Sequence, residues 1–117
     1  MQLWYRVSDL ETAKDFYTRQ FGFKEVYFDE EDRWVRLDRE GFELALAEGE
    51  FSGAEQAGVE EGGAVATIDV RDVKAEAERL RDAGVNVGTV VEIPGTIRLL
   101  DVFDPDGNRL QLAEDIA

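Results

Sequence analysis

The chain has 117 residues, no cysteine and no histidine, with 27 acidic against 13 basic side chains for a formal charge of −14. That length makes one domain with a core of its own. The missing cysteines remove disulfides and thiolate chemistry, the missing histidines remove the commonest general base and transition-metal ligand, and so negative a chain excludes nucleic acid as a partner while attracting cations.

Residues 2–7, Gln-Leu-Trp-Tyr-Arg-Val, are rich in aromatic and β-branched types and stop at Ser8-Asp9, which predicts a strand and then a helix cap. From Leu10 to Gln20 the apolar residues Leu10, Ala13, Phe16 and Tyr17 recur at helical spacing, with Glu11, Lys14, Asp15 and Arg19 on the other face, and Gly22 ends the helix. Tyr5, Phe16 and Tyr17 read as core between this helix and a sheet. Three strands are expected at 25–29, 34–38 and 42–47, joined by the solvated turn Glu30-Glu31-Asp32 and by Arg39-Glu40-Gly41 into an antiparallel meander. A stretch rich in glycine and glutamate follows and reads as an exposed linker over residues 49–62.

Residues 64–70 are strand-like again, Arg71-Asp72 supplies a cap, and Val73, Ala77 and Leu80 form a helical stripe that ends at Gly84. Strands are expected at 85–91, 97–103 and 110–113. The last two are joined by Asp104-Pro105-Asp106-Gly107-Asn108, whose composition is that of a hairpin turn.

The order β-α-β-β-β therefore occurs twice, and the halves agree residue by residue. A shift of 63 carries Val7, Asp9 and Leu10 onto Val70, Asp72 and Val73; a shift of 62 carries Gly22 onto Gly84; a shift of 66 carries Asp38, Gly41, Leu44 and Leu46 onto Asp104, Gly107, Leu110 and Leu112. Strand end, helix cap, helix stop and hairpin turn all coincide, which is the mark of a duplicated unit. The fold expected is α+β, one domain made of modules 1–48 and 63–117.

The segment Val7-Ser8-Asp9-Leu10-Glu11-Thr12-Ala13-Lys14-Asp15-Phe16-Tyr17, followed by Phe21-Gly22-Phe23, resembles the first helix of the vicinal oxygen chelate superfamily, which includes glyoxalase I, bleomycin resistance proteins and extradiol dioxygenases. The turn at 104–108 is similar to that family's late hairpin. The resemblance implies two βαβββ modules curling into a cup-like mixed sheet, with helices on the outer face and a ligand in front. It also implies, for metal-dependent members, one ligand on the first and one on the last strand of each module, which fall here on Gln2, Ala45, Val65 and Gln111, with Glu43 as an alternative to Ala45 on the same face. Divalent cations are held by imidazole and carboxylate, and Ala45 and Val65 offer no donor, so no metal and no other cofactor is expected.

Trp4 and Arg6 share the face of Gln2, and Trp34 and Arg36 alternate with Val35 and Leu37, so both pairs are candidates to line the cup, where indole and guanidinium stack on and hydrogen-bond a flat or charged ligand. The competing reading makes each Trp a half-buried sheet residue and each Arg a neutraliser of nearby acids. The candidate ligand-binding set is Trp4, Arg6, Trp34, Arg36, Glu43 and Gln111, and Glu43 is the one candidate for acid–base catalysis. Arg98 and Asp101 alternate, so at most one faces the cup.

The function expected is binding of a small molecule, cationic or aromatic, with the bleomycin resistance proteins as the analogue the resemblance supplies. The alternatives are a glyoxalase-like lyase or dioxygenase with an atypical metal site, and a non-catalytic assembly partner. The resemblance further implies a homodimer. No apolar run reaches membrane-spanning length and the start of the chain lacks a basic and then apolar segment, so a cytoplasmic location is expected. Ten arginines, three lysines and acids spread over every segment suit a protein adapted to high salt, and equally an ordinary acidic one.

Overall fold

A computed structural model describes residues 2–49 and 66–117. The expected linker beyond Gly49, and the head of the second module through Val65, lie outside the described residues. The chain divides into two compact units, residues 1–64 and 65–117.

The first unit runs β1 (Gln2–Val7), α1 (Leu10–Phe21), β2 (Lys24–Asp29), β3 (Trp34–Arg39) and β4 (Phe42–Glu48). Its sheet has the order β1-β4-β3-β2, with β1 parallel to β4 and the meander antiparallel. The second unit runs β5 (Ala66–Asp69), α2 (Val73–Asp82), β6 (Asn86–Val87), β7 (Val91–Ile93), β8 (Ile97–Phe103) and β9 (Arg109–Asp115), with the order β5-β9-β8-β6 and β7 also paired to β8. This is the α+β, twice-repeated βαβββ architecture that the sequence repeat predicts.

One difference concerns the strand expected at 85–91. It is two strands, because three residues, 88–90, lie opposite only two, 100 and 101, between the pairs Val87–Val102 and Val91–Leu99. The surplus residue breaks the ladder as a bulge does. Gly88 still donates its N–H to the Asp101 carbonyl at 2.9 Å, after which the chain leaves the sheet and returns at β7.

The period-2 alternation of the strands sorts them into a helix-covered face and an opposite face. In the first unit Leu3, Tyr5, Val7, Val35, Leu37, Leu44 and Leu46 are buried, as are Leu10, Ala13, Tyr17 and Phe21 along one side of α1. Each Val, Leu or Phe among them contributes on the order of 1.5–3 kcal/mol through burial. Phe16 is only half-buried, with its ring edge-on to Tyr17 and Phe21. In the second unit the corresponding set is Ala66, Ile68, Val73, Ala77, Leu80, Leu100, Val102, Leu110 and Leu112.

Both helices are fastened by one device used twice. Asp9 caps α1 by accepting from Thr12 N–H, and Asp72 caps α2 by accepting from Ala75 N–H, each at 3.0 Å. The next free N–H of each helix is taken by a glutamate from the end of the last strand. Leu10 donates to Glu48 and Val73 to Glu114, both at 2.9 Å. An arginine then holds each glutamate: Arg33 bonds Glu48 and Glu11, and Arg98 bonds Glu114 and Glu92. Hydrogen bonds from Arg33 first, and from Leu10 N–H second, hold the Glu48 carboxyl down at about 2. Hydrogen bonds to Glu48 first, and to Glu11 second, raise Arg33 above the usual arginine range, and the Arg98–Glu92 hydrogen bond raises Arg98 and lowers Glu92.

The late hairpin is built around a carboxylate. Asp104, buried beside Asn108, accepts from the backbone N–H of Asp106 at 2.9 Å and of Asn108 at 2.8 Å, and from the Asn108 side-chain amide at 3.0 Å. Gly107 takes the left-handed conformation the turn needs, at φ +81°. Its counterpart in the first unit is shorter, with Glu40 at φ 52° and Gly41 at φ 86° joining β3 to β4.

Candidate ligand-binding face

The face of the first sheet turned away from α1 is set by register. Trp4 lies beside Ala45 and Arg6 beside Ala47 in the parallel β1–β4 pair; Trp34 lies beside Ala47, Arg36 beside Ala45 and Asp38 beside Glu43 in the antiparallel β3–β4 pair. Neighbours across a ladder point the same way, so Trp4, Arg6, Trp34, Arg36 and Glu43 share one face. The bulge in β2 between Glu25 and Tyr27 brings Tyr27 beside Arg36 on that face, a residue the sequence analysis does not single out.

The aromatic residues of this face form a continuous strip. The Trp4 and Trp34 rings lie 5.6 Å apart at 40°, and the Tyr27 and Trp34 rings 5.1 Å apart at 50°. Trp4 is 37% and Tyr27 47% exposed, among the largest exposed apolar side chains described. Arg36 is half-buried beside them, and its Nε is buried without a hydrogen-bond partner. Glu43 is half-buried opposite Asp38.

The equivalent face of the second sheet differs in kind. Asp101, not Arg98, shares the face of Gln111, which settles the alternation on β8. Gln111 Nε2 lies 3.5 Å from Asp101 Oδ1, and Arg109 pairs with Asp101 at 3.6 Å. Val91, Ile93, Ile97 and Leu99 extend this face as an apolar patch, with Val91 and Ile93 about half exposed.

Of the positions that the resemblance assigns to metal ligands, Val65 lies outside the described residues, and Ala45 is a buried methyl group. Gln111 is an amide facing Asp101, and among the described residues no three His, Cys, Asp or Glu side chains come together. A divalent cation needs several anionic or imidazole donors, and this set does not fit one.

The twofold βαβββ repeat, with a helix on one face of each sheet, places the protein among folds of the glyoxalase type. The chain belongs to the Glyoxalase/Bleomycin resistance protein/Dioxygenase superfamily, whose family model matches residues 2–112. It is 32% identical to the Bacillus subtilis (strain 168) protein YurT over 92% of each chain. Among solved structures it is similar to TnmS3, an antibiotic binding protein from Streptomyces sp. CB03234, at 27% identity with a TM-score of 0.72 over 97% of this chain and 93% of that one. The lactoylglutathione lyase of Agrobacterium tumefaciens shares the fold at 21% identity, with a TM-score of 0.72 over 97% of this chain and 91% of that one.

Among the described residues no helix is long and apolar enough to cross a membrane.

Proposed function

We propose that the protein is a metal-free binder of a small molecule held against the aromatic face of the first sheet by Trp4, Arg6, Trp34, Arg36 and Glu43; Gln111, on the second sheet, is a separate candidate. The observation that carries this reading is the strip Trp4–Trp34–Tyr27 beside Arg36, with Trp34 half-buried and Trp4 and Tyr27 left exposed and available for stacking. The likeness to an antibiotic binding protein at 27% identity supports it. Ala45 and Gln111, standing where the resemblance puts metal ligands, support binding without metal. We further propose, from the family resemblance, that the protein is a homodimer, which sedimentation equilibrium tests, and that it acts in the cytoplasm.

The experiment is a thermal-shift screen with bleomycin-type drugs, hemithioacetals and catechols, together with elemental analysis of untagged protein. A ligand that raises the melting temperature of the wild type and not of Trp34→Leu, with no stoichiometric divalent ion, is the expected result. About one equivalent of a divalent ion bound through Glu43 or Gln111 overturns it in favour of a lyase or dioxygenase. No ligand stabilising the protein overturns it in favour of an assembly role.

A further inference from the structure

We infer that the ligand of this face is a planar aromatic acid, its ring stacked along Trp4, Trp34 and Tyr27 and its anionic group paired with the Arg36 guanidinium; this rests on the binding reading above and assigns its chemical class.

Arg36 stands beside Ala45 on β4 as Asp101 stands beside Gln111 on β9, so the two are equivalent positions of the two modules. The second-module residue is satisfied, since Asp101 meets both Gln111 and Arg109. Its first-module counterpart is not. Ala45 has no acceptor to offer, and among the described residues no carboxylate pairs with Arg36; its Nε is enclosed without a partner, so the terminal Nη groups are the donors open to a ligand. Arg33, Arg98 and Arg109, by contrast, each meet a carboxylate. In so acidic a chain, an arginine that meets no carboxylate among the described residues is placed for an acceptor from outside.

Guanidinium geometry defines what that acceptor is. A planar fork of donors matches a carboxylate or similar resonance-stabilised anion better than a single-point acceptor, and Arg36 is the direct cross-strand neighbour of Tyr27. The anion therefore sits at one edge of an aromatic strip, and the group attached to it is the flat surface that the strip stacks against. A cationic ligand, which the chain's net charge would draw in, meets a like charge at this point.

The test is calorimetric titration with three probes built on one ring system: naphthoate, its planar neutral isostere naphthamide, and the cation naphthylmethylammonium. The chain has two tryptophans, so two indole N–H resonances in an NMR spectrum report on the face directly. Naphthoate is expected to bind about tenfold more tightly than naphthamide and to shift both indole signals. Arg36→Met is expected to erase that preference while naphthamide still binds, and Trp34→Leu to weaken all probes. Arg36→Gln, which keeps a polar side chain, serves as the check if the methionine variant does not fold. Equal affinity for naphthoate and naphthamide, preference for the ammonium, or an unchanged preference in the Arg36 variants overturns the acidic ligand and leaves the binding face standing. Failure of all three probes to shift either indole signal overturns the binding face as well.

Discussion

Replacing Asp104 by alanine removes the acceptor around which the late hairpin closes, and the structure sets the size of the effect. Three donors lose their partner: the backbone N–H groups of Asp106 and Asn108, and the Asn108 amide. Asp104 and Asn108 are each 4% exposed, so water does not readily replace the carboxylate at the Asn108 groups. A buried donor left unsatisfied costs about 1–3 kcal/mol, so two of them place the loss at about 3 kcal/mol. For a chain of this size that corresponds to a fall of about 12 °C in Tm, at roughly 4 °C per kcal/mol. Gly107→Ala supplies the comparison. An added Cβ there meets nothing within 4 Å, so its cost is only that of holding a side-chain residue at φ +81°, about 1–2 kcal/mol. Urea melts followed by circular dichroism measure both variants, and Asp104→Ala should be clearly the worse. An Asp104→Ala loss at or below that of Gly107→Ala would show that strand pairing, not the carboxylate, holds the hairpin, and would refute the reasoning.

Glu48→Gln tests the first-module fastener. The Glu48 carboxyl is held at about 2 in the folded chain against an ordinary 4.5, so its stabilisation is fully present above about pH 4.5 and is lost as pH falls toward 2. The stability gap between wild type and variant should be level at neutral pH and close over that window; a gap unchanged down to pH 2 contradicts the assignment. Leu46→Ala, at a fully buried position on β4, should cost about 2–5 kcal/mol in the same urea melts; a loss under 1 kcal/mol would mean that this position is not core. With a formal charge of −14, stability should rise between dilute and molar sodium chloride as self-repulsion is screened, and a flat response would remove salt adaptation as an account of the composition.

The repeat was legible because it is written in residues with local jobs. Asp9 and Asp72 cap, Gly22 supports φ 70° at a helix end, and Gly107 supports the hairpin, each through its own backbone. The shared face of Trp4, Arg6, Trp34, Arg36 and Glu43 was legible through period-2 alternation, which register then ties together. What escaped the sequence depends on partners far along the chain. Glu48 and Glu114 lie 66 residues apart at matching ends of their strands, and the arginines that hold them, Arg33 and Arg98, lie 65 apart. That spacing was the available signal, but a glutamate on a strand in so acidic a chain looks like surface. Tyr27 was hidden for another reason: strict alternation from β3 cannot foresee the bulge that turns it to the face. The break of the 85–91 strand is likewise a mismatch between two segments and belongs to neither alone.

The two fasteners have an evolutionary consequence. Glu48 and Arg33, like Glu114 and Arg98, occupy the helix side of their sheets, so the fasteners of each half are on the opposite surface from the face proposed for binding. A gene that doubles such a half inherits two scaffolds whose outward residues can drift independently of their stability. In the first unit that surface is aromatic and carries an arginine that meets no carboxylate among the described residues, while in the second it is aliphatic with an aspartate paired to Arg109. Selection for a new molecule can thus rewrite either surface without renegotiating the fold.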